Sequence, residues 1–136
     1  MQIDYIVIKK VTEREIDEIV KLYKDAQWWD SQWNKSFISE MVENSCCFMI
    51  ARNKDKIIGM ARAIADHCSD AYIQDVIVLN KYQNHGIGGN LVKKLIKELQ
   101  KMEIDWISLI GEPNTQSFYE KIGFKIMKGY IPMKYE

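Results

Sequence analysis

The stretch Gln83-Asn84-His85-Gly86-Ile87-Gly88-Gly89 decides how this sequence folds. It follows an apolar, β-branched run from Ile73 to Leu79 and precedes an amphipathic segment from Asn90 to Lys101. This order predicts a strand, a glycine-rich turn and a helix. Backbone N–H groups and the positive end of the helix dipole would meet at the turn, and glycine lets a phosphate approach because no Cβ intervenes. The sequence therefore predicts an anion site between the strand and the helix.

Two common phosphate-binding motifs do not match this turn. A P-loop ends in Gly-Lys-Ser/Thr, whereas Gly88 is followed by Gly89, Asn90 and Leu91. A dinucleotide fingerprint needs a third glycine three places after the second, and Leu91 occupies that place. A third kind of phosphate-binding loop remains.

The pattern Gln83-x-x-Gly86-x-Gly88 resembles the Gln/Arg-x-x-Gly-x-Gly/Ala signature of the GCN5-related N-acetyltransferases. Upstream, Tyr72 to Gly86 is similar to the central strand that leads into this signature, with Asn80 in place of the usual proline. Downstream, Ser-Phe-Tyr-Glu-Lys-Ile-Gly-Phe at 117–124 resembles the tyrosine-bearing helix of the family, which ends in Gly-Phe. The likeness covers roughly residues 57–124. It implies acetyl-coenzyme A as cosubstrate.

The resemblance also implies where the coenzyme binds. The loop would cradle the pyrophosphate, with His85 supplying only a backbone N–H, and the pantetheine arm would pair with the backbone of the central strand. Asn114, at the start of the tyrosine-bearing helix, is either a ligand of that arm or a simple helix cap. The coenzyme-binding candidates are Val76, Ile77, Val78, Gln83, Asn84, His85, Gly86, Ile87, Gly88, Gly89 and Asn114.

Acetyl transfer requires that an amine attack a thioester, that the oxyanion be stabilised, and that protons leave the amine and reach the departing thiolate. Tyr119 is the candidate general acid, because its family counterpart points its hydroxyl at the coenzyme sulfur. A phenol with a pKa near 10 is protonated at neutral pH. The alternative is a tyrosine packed under the sheet with a satisfied hydroxyl.

Asp75 is the candidate general base or amine anchor. It lies within an apolar strand, and burying a carboxylate there is costly without a task or a partner. The alternative is a structural partner for a lysine or arginine. Simple alternation places Asp75 on the opposite side from Val76 and Val78, unless a bulge resets the parity. Tyr72 and Gln74 are the reserve candidates for a proton path through water.

The segment Ala26 to Trp33 carries three tryptophans at the junction of the first two predicted helices. By resemblance, this junction forms one wall of the acceptor site. Aromatic faces and a carboxylate suit an amine through cation–π contact and charge pairing, whereas the alternative is that the rings cap the core. The acceptor-site candidates are Trp28, Trp29, Asp30, Trp33, Tyr72 and Gln74.

Composition excludes several classes. Nineteen basic and 19 acidic residues cancel in a chain of 136 residues, which gives no electrostatic reason to expect nucleic acid. Three cysteines, two of them adjacent, do not form a disulfide framework, so we expect a reducing cytoplasm. No apolar run reaches the ~18 residues of a membrane span, and no signal peptide or metal-ligand spacing is recognisable. We expect a cytoplasmic protein without metal or membrane.

The order of elements predicts a single domain, residues 1–136, of the α/β class. We expect one mixed, twisted sheet of six to seven strands with helices on both faces. The predicted strands are Ile3–Lys9, Cys46–Arg52, Ile57–Ala65, Ala71–Leu79, Trp106–Ile110 (buried), Phe124–Met127 and Tyr130–Tyr135. The predicted helices run from a Thr12 cap to Asp25, from Ser36 to Glu43, from Gly89 to Lys101 and from Pro113 to Lys121.

The expected function is transfer of the acetyl group of acetyl-coenzyme A to a primary amine, with a small amine favoured, by direct attack in a ternary complex. One alternative is an acetyltransferase of protein N-termini or lysines. A second is an acyl-coenzyme A-binding regulator without catalysis. Oligomeric state stays open: dimers are common in the family, and the strand predicted at Tyr130 to Met133 could pair across a homodimer interface.

Overall fold

Five strands and four α-helices make up the computed structural model, which describes residues 1–136. A short 3₁₀ turn at Asn80–Tyr82 precedes the glycine-rich stretch. The elements are β1 (Ile3–Ile8), α1 (Glu13–Asp25), α2 (Phe37–Asn44), β2 (Cys47–Asn53), β3 (Lys56–Ala65), β4 (Asp70–Val78), α3 (Ile87–Lys101), β5 (Trp106–Leu109) and α4 (Gln116–Ile122).

The strands form one mixed sheet in sequence order, β1-β2-β3-β4-β5. β1 to β4 pair antiparallel, and β4 pairs parallel with β5. The expected mixed α/β sheet is confirmed. The register puts Met49, Ala61 and Ile73 in neighbouring rows of the buried centre.

The expected count of six to seven strands is wrong, because the chain after α4 adds no strand. Residues 124–127 and 130–135 are irregular. Gly129 adopts φ +81° and the N–H of Tyr130 turns back to Met127 O at 3.1 Å, and Pro132 has no N–H to give to a ladder. β5 is therefore the edge strand. For the same reason Trp106 is 49% exposed, contrary to the buried strand expected there.

Helices cover both faces of the sheet, as expected. On one face a Cβ at Gly59 of β3 would lie 3.1 Å from Leu91 of α3, so glycine lets this helix approach the sheet closely. On the opposite face Tyr23 of α1 and Arg62 of β3 contact the same residue of β4. The apolar stripes of α1 and α3 supply most of the helical core, namely Ile16, Ile19, Val20, Leu22, Leu91, Val92, Leu95 and Leu99. None of the four α-helices combines the length and the apolar character that a bilayer crossing would require.

The predicted capping box at the start of α1 is present. The N–H of Glu15 donates to the Thr12 hydroxyl at 3.2 Å, and the N–H of Thr12 donates to the Glu15 carboxylate at 2.9 Å. Arg52 of β2 donates to the second oxygen of that carboxylate at 3.0 Å. Local sequence therefore fixes where α1 begins and ties it to the sheet.

Replacing Thr12 by alanine should lower the free energy of unfolding by about 1 kcal/mol, because one backbone donor of the first turn loses its acceptor. Ser36 provides a matched control, since it occupies the N-cap position of α2 without a side-chain cap bond. Urea unfolding of both variants measures the difference. Equal losses for Thr12→Ala and Ser36→Ala would contradict the assigned role of the cap.

Candidate active site

The glycine-rich turn presents free backbone donors at the start of α3. Gly86 is the N-cap residue and adopts φ +78°, a conformation that glycine takes without a steric cost. No side chain caps this helix. The first backbone bond of the helix runs from Asn90 N to Gly86 O at 3.1 Å, so the N–H groups of Ile87, Gly88 and Gly89 have no acceptor within it. Together with the helix dipole they give the turn the backbone donors and the positive field that suit an anion.

The three glycines of the turn serve different purposes. A Cβ at Gly86 or Gly89 would meet no atom within 4 Å, so both positions leave open space at the helix start. A Cβ at Gly88 would lie 3.3 Å from the Phe118 ring. Gly88 therefore serves the close packing of α4 against α3, and the open approach to the donors depends on Gly86 and Gly89.

Side chains of the protein hold the turn in shape. The Gln83 amide donates to Val78 O and to the Asn80 side-chain oxygen, each at 3.1 Å. The backbone N–H of Asn80 donates to the Asp25 carboxylate at 2.7 Å. A proline at position 80 would lack this N–H, which gives the sequence departure at Asn80 a structural reason. Asn84 and His85 are exposed beside the donors.

β4 carries a bulge in its middle and separates from β5 at the same place. Opposite β3, Arg62 pairs with Gln74 and Met60 pairs with Ile77, so one extra residue of β4 is accommodated between them. β5 pairs with β4 only as far as Ile73. Asp75 lies in the bulge with φ +58°, a conformation that costs a residue with a Cβ about 1–3 kcal/mol. The edge of β4 from Gln74 to Val78 therefore faces an opening rather than a neighbouring strand.

The bulge changes which side chains share a face. Partners directly opposite in an antiparallel pair point to the same side, so Gln74 lies on the α1 face with Arg62, and Val78 lies on the α3 face with Gly59. Asp75 also reaches the α1 face, where its carboxylate contacts Tyr23 and Arg62. Strict alternation is therefore wrong for β4, and the bulge considered in the sequence analysis is present.

The Asp75 carboxylate is held by two donors on one oxygen. The Tyr23 hydroxyl and Arg62 Nε each donate to Oδ2 at 2.8 Å, whereas Oδ1 accepts no hydrogen bond from the protein. The side chains of Arg62 and Asp75 are 11% and 16% exposed. Burial and the Asp75 carboxylate raise the pKa of Tyr23, so its hydroxyl stays a donor. Asp75 thus has the arginine partner that was the structural alternative for it.

Tyr119 lies on α4 across the opening from β4. Its ring packs edge-on against Phe118 and Phe124, with centroids 4.9 and 5.7 Å away. Burial, together with the negative charge of Glu112, raises the pKa of the Tyr119 phenol. The phenol is therefore protonated at neutral pH, and its hydroxyl makes no hydrogen bond within the protein. This geometry suits a proton donor.

The opening widens into a cleft of about 890 Å³ between α1, β4 and α4. Of the predicted acceptor residues, Trp28, Trp33, Tyr72 and Gln74 line it. Trp29 packs behind, its ring centroid 5.4 Å from that of Trp33. Asp30 accepts the backbone N–H of Gln32 at 2.9 Å in its own turn. Two of the three rings therefore line the cleft and one packs behind it, and the role of this segment toward an acceptor stays a prediction.

Several cleft residues were missed by the sequence analysis. They are Tyr23, Phe37, Met41, Arg62 and Glu112. Tyr23 resembled an ordinary member of the apolar stripe of α1, and nothing local linked it to Asp75. Arg62 was recognisable in principle, because a charged residue within the apolar run from Ile57 to Ala65 needs a partner.

Asn114 lies beside a second cavity of about 1090 Å³ between β5, α4 and the C-terminal segment. It adopts φ +68° and does not cap α4, because the N-cap residue is Thr115 and no side chain caps that helix. The Thr115 hydroxyl donates instead to Glu112 O at 2.6 Å. The capping alternative for Asn114 is therefore wrong, and its role toward the coenzyme stays a prediction.

Known proteins with similar sequences are acetyltransferases by name. Over 113 residues the chain is 34% identical to an uncharacterized N-acetyltransferase, ycf52, of Pyropia yezoensis, covering 77% of this chain and 65% of that protein. Over 74 residues it is 42% identical to a chloroplastic GCN5-related N-acetyltransferase 2 of Arabidopsis thaliana, covering 54% of this chain and 29% of that protein. The chain thus spans 29% to 65% of the length of these two curated relatives.

Solved structures share the fold. A probable acetyltransferase from Staphylococcus aureus, SA2161, superposes with a TM-score of 0.79 at 22% identity, covering 98% of this chain and 100% of that one. A GNAT family protein from Streptococcus pneumoniae, SP0256, gives 0.77 at 25% identity, with 99% and 100% covered. The model of the acetyltransferase (GNAT) family matches residues 9–124. This match extends over most of the chain, which therefore belongs to the acetyltransferase (GNAT) family.

Proposed function

We propose that this chain transfers the acetyl group of acetyl-coenzyme A to a small primary amine by direct attack in a ternary complex. The observation that carries the proposal is the opening along β4. Residues Gln74 to Val78 lead from the aromatic cleft to the free N-terminus of α3, and Tyr119 faces this path from α4. In a chain of this family, these features support the proposal: free backbone donors at a helix start, an unpaired strand edge and a protonated phenol lie along one path.

The residues along this path fit the coenzyme. The N–H groups at the start of α3 and the open space at Gly86 and Gly89 suit a pyrophosphate. The edge of β4 beyond Ile73 has no strand partner, so Val76, Ile77 and Val78 can pair with an extended amide-bearing arm. When bound, acetyl-coenzyme A supplies the thioester carbonyl and a thiolate leaving group.

Proton transfer falls to residues of the cleft. Tyr119, held protonated by burial, would give its proton to the departing sulfur. Oδ1 of Asp75 accepts no hydrogen bond within the protein. It would accept a hydrogen bond from the amine and, as the general base, its proton. Tyr72 and Gln74 line the same cleft and remain the alternatives for a proton path through water.

The charges of the cleft favour a small amine over a basic peptide. Its charged lining residues are Arg62 and Lys134 against Asp75 and Glu112, so two positive and two negative charges cancel. A groove that recruits a lysine-rich peptide would gain from a net negative charge. Twelve of the 19 lining residues are apolar or aromatic instead, which suits an amine with an apolar body.

Turnover tests the proposal directly. The wild-type protein should release coenzyme A from acetyl-coenzyme A when arylalkylamines, polyamines, amino sugars or peptides are offered, with small amines turned over best. Preference for peptides would favour the alternative acetyltransferase of protein N-termini or lysines. Coenzyme A binding without any release over the whole panel would favour the non-catalytic regulator.

Replacing Gly86 by valine should weaken coenzyme A binding by at least about tenfold, because a β-branched residue is strained at φ +78° and its side chain would occupy the space before the α3 donors. Gly129→Val is the matched control, since Gly129 has φ +81° and also nothing within 4 Å of its Cβ, but lies in the C-terminal segment. Calorimetric titration with coenzyme A compares the two. Equal affinity of folded Gly86→Val and wild type would refute the pyrophosphate assignment.

Replacing Tyr119 by phenylalanine should lower kcat about 100-fold or more, the range of a general acid, with coenzyme A affinity nearly intact. Because the pKa of Tyr119 is raised above the usual 10.0, the wild-type rate should show no loss from its ionisation below about pH 10. Tyr130→Phe, on the wall of the neighbouring cavity, should keep the wild-type rate. A Tyr119→Phe rate within about twofold of wild type would show that the phenol only packs.

A further inference from the structure

The network of Tyr23, Arg62 and Asp75 joins three elements that are distant in sequence. Tyr23 lies on α1, Arg62 on β3 and Asp75 in the bulge of β4. All three line the cleft, and Tyr23 is only 6% exposed. A charged residue held this firmly at a strained position calls for a purpose beyond filling the cleft wall.

Two donors converge on one oxygen of Asp75. The Tyr23 hydroxyl reaches Oδ2 from α1, and Arg62 Nε reaches it from β3, both at 2.8 Å. Arg62 is itself steadied by the Ser45 hydroxyl at 3.4 Å, next to the end of α2. The carboxylate is therefore clamped from two sides.

The clamp acts on the backbone of β4. Asp75 adopts φ +58°, a left-handed conformation that most residues with a Cβ avoid and that aspartate tolerates better than most, still at some cost in the middle of a strand. The same residue is where β4 accommodates its extra residue against β3, two residues after Ile73, the last residue of β4 that pairs with β5. If Asp75 relaxed to an extended conformation, the parity of Val76 to Val78 would change and the edge of β4 would turn.

We infer that Tyr23 is a positioning residue: through Asp75 it holds the bulge that turns the edge of β4 toward the coenzyme, with Arg62 as its second donor. The inference rests on the proposed function for the use of that edge, but the clamp itself is a property of the fold. In the proposed reaction Tyr23 contacts neither the thioester nor the amine. It lies on α1, which also lines the proposed acceptor side. The hydrogen bond from Tyr23 to Asp75 therefore connects the acceptor wall to β4.

The first test measures the bulge itself by amide hydrogen exchange followed by NMR. In Tyr23→Phe the ring stays and one donor is lost, so the amide of Ile77, which faces β3, should exchange at least about tenfold faster relative to Leu95 in the core of α3. Tyr5→Phe is the control, because its hydroxyl also loses one hydrogen bond, to Asn90 at 3.2 Å, but on the far side of the sheet. Equal local rates in both variants would overturn the inference, whether or not the protein has turnover.

The second test asks whether glycine removes the need for the clamp. Glycine adopts φ +58° without a Cβ penalty, whereas valine is strongly disfavoured there. Asp75→Gly should therefore keep coenzyme A affinity within about threefold of wild type, and Asp75→Val should lose at least about tenfold. Adding Tyr23→Phe to the wild-type protein, which keeps Asp75, should weaken coenzyme A binding about fivefold. Adding it to Asp75→Gly should leave coenzyme A affinity unchanged.

The outcomes separate this inference from the proposed function. A Tyr23→Phe effect that persists in Asp75→Gly, or an Asp75→Gly affinity as poor as that of Asp75→Val, would overturn the positioning role even in an active enzyme. Absence of coenzyme A release by the wild type would refute the transferase while leaving the exchange measurement to decide on the clamp. Both Asp75 variants remove the carboxylate that neutralises Arg62, which lowers the stability of the fold. Their coenzyme A affinities are therefore compared with each other at a temperature where both are folded.

Discussion

The separation of β4 from β5 is the constraint on which the rest of the structure depends. A sheet that stayed paired along its whole length would bury the edge of β4 and leave no path between the two layers of helices. Pairing of β4 with β5 ends at Ile73, and the bulge of β4 at Asp75 follows two residues later. It places a strained, charged residue in the centre of the molecule, and the ion pair with Arg62 and the hydrogen bond from Tyr23 stabilise that arrangement. The shape of the site therefore depends on the stability of these contacts to Asp75.

The two carboxylates of the cleft, Asp75 and Glu112, differ in whether a cation neutralises them. Asp75 is neutralised by Arg62, so its negative charge adds little to the field that an incoming amine meets. Glu112 has no ion-pair partner, and its charge is felt by Tyr119, whose pKa it helps to raise. A group that must hold its proton until a thiolate departs gains from such a neighbour. Burial and a negative charge act in the same direction on the Tyr119 phenol.

Local features of the sequence predicted the local structure well. The capping box at Thr12, the glycine turn before α3 and the end of α4 at Gly123 depend on a few neighbouring residues, and the structure has all three. The clamp could not be predicted in this way, because Tyr23 and Asp75 are 52 residues apart and each has an ordinary local explanation. The strands expected at 124–127 and 130–135 failed for the opposite reason. Their apolar pattern suits a strand, but Gly129 and Pro132 interrupt the segment, and a strand also needs a partner.

Helix α1 ties the proposed acceptor side to both parts of the proposed coenzyme path. Near its C-terminal end, Tyr23 donates to the bulge of β4, and two residues later Asp25 accepts the N–H of Asn80 at the entrance to the glycine-rich turn. Positions two apart on a helix point in different directions, so one helix end reaches two separate segments of the chain. A shift of α1 would therefore move the strand edge and the glycine-rich turn together.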